Sequence, residues 1–181
     1  PIEQITDVNF DEDRFRVLTG GSRTALERHQ TLQAAVDWSH DLLTAQEQAL
    51  FARLSVFSGT FPLEAAEEVC DADLDDLGAL VDYSLVKPIG DDRFFMLETI
   101  GEYALEKLRE GSEGEELRRR HAAFFTALAE RAYDHRFDAE AEWSARLETD
   151  HDDLRAALDW LSENDSDRTL ELAGALGWFW L

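Results

Sequence analysis

Residues 74–97 read LDDLGALVDYSLVKPIGDDRFFML, and this stretch decides the fold. Leu74, Leu77, Leu80 and Val81 recur at helical spacing, while Asp75, Asp76 and Asp82 fall on the opposite face. Past Ser84 the period changes. The β-prone runs Ser84 to Ile89 and Arg93 to Leu97 flank Gly90-Asp91-Asp92, a turn sequence that joins them into a hairpin.

Reading backward from that helix, Pro62 suits the first position of a preceding helix, with Glu64 in its first turn and an end near Val69 and Cys70. Ser55-Val56-Phe57, bounded by Ser58-Gly59, reads as a short strand. Thr44-Ala45-Gln46-Glu47 is a capping box that opens a helix with Leu50, Phe51 and Leu54 on its apolar face. A further helix starts at Thr31, with Leu32, Ala35, Val36, Leu42 and Leu43 as its apolar face. Reading forward, Ile100, Tyr103, Ala104 and Leu108 share a helix face that stops at Gly111. Helices carrying a β-hairpin wing define a winged-helix domain over residues 30–111. After Ser112-Glu113-Gly114 the β signal vanishes. Leu117, His121, Phe124, Leu128 and Ala132, then Leu154, Leu158 and Leu161, then Leu170, Ala173 and Leu176, predict helices broken near Asp134-His135 and Asn164-Asp165-Ser166. Residues 112–181 are therefore expected to be an α-helical, repeat-like region, and the fold class is mainly α.

The 181 residues hold 40 acidic and 17 basic side chains, for a net charge of −23. With 44% hydrophobic and 10% aromatic residues the chain can nonetheless bury a core, which excludes disorder by composition. The charge is uneven. Between Thr31 and Glu110 there are 17 acidic and 5 basic residues, and the helix best placed to enter a DNA groove offers three aspartates and no cation. Direct nucleic-acid binding is disfavoured on that ground. A single cysteine, Cys70, rules out an internal disulfide, no run has the length of a membrane span, and no signal peptide precedes the first helix, so a cytoplasmic location fits.

Few residues suggest chemistry. The histidines, His29, His40, His121, His135 and His151, lack the spacing of metal ligands, so no metal site is expected, and no nucleophile or acid and base pair stands out. Trp38 and Trp160 fall where a helix would bury them. Trp178, Phe179 and Trp180 are better placed to stack on a neighbouring repeat or a partner, and they suggest further helices beyond Leu181. Arg118, Arg119 and Arg120 form the one basic concentration, which either pairs with the acidic winged helix across the domain boundary or forms a solvated face with Glu115 and Glu116.

The run from Arg28 to Leu43, the segment Leu50 to Phe57, Leu80 to Val86, Phe95 to Ala104 and His151 to Leu158 together resemble the STAND-class predicted ATPases. These are signal-transduction NTPases with an NB-ARC-type core, some fused to transcription-regulator modules. The resemblance implies a nucleotide-binding domain upstream, which would hold ATP or ADP with magnesium. Residues 1–29 would then be the end of its lid and a linker, and 112–181 the start of tetratricopeptide-like repeats that bind protein partners. This chain has no P-loop motif, so it is expected to be a non-enzymatic regulatory segment with no cofactor of its own. The family's Met-His-Asp triplet, which senses nucleotide, is matched by Met96-Leu97-Glu98. Leu97 cannot donate a hydrogen bond to a phosphate, whereas Glu98 keeps the acidic third place or serves only as a first-turn carboxylate. The alternative is a DNA-binding winged-helix transcription regulator with a helical dimerisation tail.

Overall fold

The computed structural model describes residues 34–180. The expected roles of residues 1–29, of Thr31 and Leu32, of His29 and of Leu181 lie outside them. Among the described residues, helix α1 covers 34–41. Val36 on it is buried but Trp38 is 68% exposed, against the expectation of a core tryptophan. The reason is angular: two residues turn a helix by about 200°, so Trp38 cannot share the face of Val36.

From Leu42 onward the chain forms one compact unit. Its elements are α2 (Ala45–Leu54), β1 (Phe61–Pro62), α3 (Leu63–Cys70), α4 (Leu74–Asp82), β2 (Lys87–Ile89), β3 (Arg93–Phe95), α5 (Glu98–Glu110), α6 (Gly114–Asp134), α7 (Glu140–Thr149), α8 (His151–Asn164) and α9 (Ser166–Leu176). The fold is mainly helical with a three-stranded antiparallel sheet in the order β1-β3-β2.

Local chemistry sets most boundaries. In α2, the Glu47 amide donates to Thr44 Oγ1 at 3.3 Å, and the Thr44 amide donates to Glu47 Oε2 at 2.7 Å, which completes the capping box. The strand expected over Ser55-Val56-Phe57 is a turn instead. The amides of these residues donate to Ala52, Arg53 and Leu54 carbonyls, closing α2 and leaving no donors for a ladder. The first strand lies later, pairing Phe61 with Phe94 and Pro62 with Arg93. Pro62 accordingly precedes α3 rather than starting it. The wing turns at Gly90, whose φ of +64° suits a residue without Cβ.

Phe51, Leu54, Leu77, Leu80, Ala104 and Val69 fill the winged-helix core. Cys70 is fully buried beside them, and burial pushes its thiol pKa up to about 12, which keeps it protonated and inert. Helix α6 is the spine of the second half: it packs against α3 on one side and against α7, α8 and α9 on the other. Phe125, Leu128, Leu147, Leu154, Leu161, Leu172 and Leu176 are buried along it. The breaks expected near Asp134 and Asn164 occur, and a further one at Asp150 separates α7 from α8.

Candidate functional site

In a winged helix, the second helix of the helix-turn-helix and the wing form the face that nucleic acid would meet. Here those elements are α4 and the β2–β3 hairpin. Asp73 caps α4 by accepting from the Asp75 amide at 2.8 Å, so the sequence that starts the helix already fills its first turn with acid. Leu74, Asp75, Gly78 and Asp82 line one exposed stripe, and Asp76 accepts from Gln46 Nε2 at 2.7 Å. At the wing tip Asp91 and Asp92 are exposed. Arg93, the arginine of the wing, is turned away: its guanidinium donates to Thr60 Oγ1, the Thr60 carbonyl and Asp150.

Asp150 belongs to a buried polar seam that joins the wing side to the helical half. Its carboxylate is 1% exposed and accepts from both Arg93 and Arg146. One helical turn further, Asp153, also 1% exposed, accepts from the Ser58 amide at 2.7 Å and meets His121 Nε2 at 2.9 Å. Phe57 stacks on Phe61 at 4.6 Å and lies 5.6 Å from the His121 ring, which itself lies 4.6 Å from Phe125. The sequence reading missed this seam. The signal was present, because Asp153, Leu154, Ala157 and Leu161 share one stripe of α8 and Asp150, at its N-cap, continues that stripe, which puts two carboxylates at core positions.

The arginine triplet divides by partner. Arg120 holds Asp71 through two bonds, of 2.8 and 2.7 Å, and donates to the Glu68 carbonyl, bridging α6 to the end of α3. Hydrogen bonding to Arg120 holds the Asp71 carboxyl below the usual carboxylate range. Arg119 pairs with Glu116 on its own helix and stays solvated. Arg118 makes no hydrogen bond or ion pair among the described residues and borders a cavity. A second bridge, not anticipated, runs from Arg53 to Glu113 at 2.9 and 2.7 Å, and it lowers the Glu113 carboxyl.

Leu97 caps α5 without a side-chain hydrogen bond, and Glu98 is the first residue of the helix. Both line a cleft of about 640 Å³ bounded by Phe57, Phe61 and Phe95 on the winged-helix side and by Thr149 and Asp152 on the other. Glu98, Glu102 and Asp152 give its wall a negative sign. At the far end, Trp178 packs edge-on against Phe179 at 6.3 Å. The Trp178 Nε1 donor is buried with no partner among the described residues, whereas Trp180 is 48% exposed. Among the described residues no group of His, Cys, Asp and Glu could hold a metal ion, and no helix is long and apolar enough to cross a membrane.

These elements define a winged-helix domain, with α3 and α4 as its helix-turn-helix, followed by a helical domain packed on its back. Over 93% of its length the chain is 43% identical to the Mycobacterium tuberculosis protein named "Putative HTH-type transcriptional regulator Rv0890c", and equally to its Mycobacterium bovis counterpart. It is 38% identical, over 64% of its length, to an uncharacterized Mycobacterium tuberculosis protein, Rv0894. The chain spans about a fifth of the length of the regulators and 31% of the uncharacterized protein. No family model and no solved structure matches.

Proposed function

We propose that this chain is a regulatory segment of a larger transcription regulator, in which the winged helix contacts protein and not DNA. The similarity to relatives named HTH-type transcriptional regulators supports the first part. The second part rests on one observation: α4 presents Asp75 and Asp82 outward with no cation, while Arg93 is neutralised by Asp150. A winged helix that reads DNA needs cations facing phosphates, and each lost contact weakens binding steeply at physiological salt. The natural partner is another part of the same polypeptide, which in the relatives is about five times as long as the matched region.

The resemblance to STAND-class ATPases refines that partner to an upstream nucleotide-binding domain holding ATP or ADP with magnesium. The winged helix would then be a lid on it, and the helical region would start a protein-interaction scaffold. The relatives' names mention no nucleotide, so this refinement needs its own test. Deleting 31–110 from the full-length protein is expected to change ADP release, and unchanged retention would overturn the lid.

The second reading, a winged helix that binds DNA itself, is favoured by the relatives' names and by the uncovered stripe of α4 at Leu74 and Gly78. Electrophoretic mobility shift at low salt separates the two. No shifted band with mixed-sequence duplex supports the protein-contacting reading, and a shift that weakens as salt rises supports the second.

A further inference from the structure

The two hollows between the winged helix and the helical domain carry opposite signs. The larger cleft is walled by Glu98, Glu102 and Asp152. The smaller, a cavity of about 290 Å³, is lined by no carboxylate; its charged lining residue is Arg118. In a chain with 40 acidic and 17 basic residues, a hollow that excludes acids and admits an arginine runs against composition.

We infer that this cavity is a binding site for a small aromatic carboxylate, independent of what the winged helix contacts. Val56, Leu105, Leu108 and the Trp160 ring supply apolar walls from the turn after α2, from α5 and from α8. The volume sits at the lower end of ligand pockets, of order 300 Å³, which suits a single ring and not a nucleotide or a peptide. Arg118 sits at the exposed side with its guanidinium uncommitted, while its neighbours Arg119 and Arg120 are held by Glu116 and Asp71. A guanidinium fork matches a carboxylate with two parallel hydrogen bonds. His121 forms the inner wall. It is 3% exposed and its Nε2 is bound to Asp153, so the ring is held in place as a rigid face of the cavity. Because the walls come from α5 of the winged helix and from α6 and α8 of the helical domain, an occupant ties the two together. That is where an effector would act on their packing.

Phenylacetate is the probe, titrated into the ¹⁵N-labelled chain while the Trp160 indole N–H resonance is followed, with Trp160→Phe to assign it. Phenethylamine, the same ring with the opposite charge, is the control. The expected result is a saturable shift with phenylacetate and none with phenethylamine. Arg118→Gln should weaken phenylacetate about tenfold, as befits loss of one charge-assisted contact, and Arg118→Lys should retain part of the affinity. Arg118 is exposed, so both variants are expected to melt like the parent. Equal shifts from the two probes, no saturable shift, or an Arg118→Gln protein that binds phenylacetate as before would each overturn the assignment.

Discussion

The front and the back of the winged helix treat charge in opposite ways. At the front, Asp75 and Asp82 on α4 and Asp91 and Asp92 at the wing tip face solvent, and Lys87, half-buried on β2, is the one cation there that makes no ion pair among the described residues. At the back, Arg53 is bound to Glu113, Arg93 to Asp150, and the end of α3 to Arg120. Of the few basic residues of this domain, Arg53 and Arg93 are bound to carboxylates of its own helical neighbour. Net charge alone says only that nucleic acid is repelled. The arrangement says more, since the one wing arginine that could reach a phosphate is already satisfied inside the protein.

The back itself has a buried and an exposed part, and mutations should separate them. Asp150→Ala removes the shared partner of Arg93 and Arg146, leaving two largely covered cations uncompensated. A loss of about 3–5 kcal/mol is expected in urea unfolding. Asp153→Ala strands the Ser58 amide and His121 Nε2, for a loss of about 2–3 kcal/mol. Arg120→Ala breaks a bridge whose carboxylate is 60% exposed, so about 1 kcal/mol or less is expected. Arg119→Ala, on the solvated pair with Glu116, should leave the melting temperature unchanged. If Arg120→Ala cost as much as Asp150→Ala, the distinction between the two parts of the seam would collapse.

Acid sharpens the same contrast. The Asp71 and Glu113 carboxyls are held low by hydrogen bonds from Arg120 and Arg53. Folded values below the unfolded ones mean that the stabilisation is complete above the unfolded range, about pH 4, and is lost as pH falls through the folded values. The difference in melting temperature between the parent and Arg120→Ala should therefore be constant above about pH 5 and shrink below about pH 4. A difference that instead grew as the pH fell would contradict the ion-pair account.

Most of the winged helix was legible because its signals are local. The Thr44 to Glu47 box, the turn at Gly90 and the stop at Gly111 are each short-range patterns with one structural solution. Ser55-Val56-Phe57 forms a turn and not the expected strand because β propensity competes poorly with amides already committed to closing a helix. Trp38 shows the same limit for burial, since an aromatic residue in a helix need not lie on its apolar face. The seam is non-local: Arg93 and Asp150 are 57 positions apart, and Ser58 and Asp153 are 95 apart. Two acids, Asp153 on the apolar stripe of α8 and Asp150 at its N-cap, signalled that something buried needed a carboxylate. Nothing in the sequence named Arg93 and His121 as what it was.

Fluorescence anisotropy of a labelled mixed-sequence duplex at low salt tests the central claim directly. The parent chain is compared with an Asp75→Lys, Asp76→Lys, Asp82→Lys variant. The account predicts no binding by the parent and salt-sensitive binding by the variant, because the winged-helix geometry is present and the sign of α4 is the largest obstacle to contact. Salt-sensitive binding by the parent chain itself would show that this winged helix reads DNA, and would contradict the account.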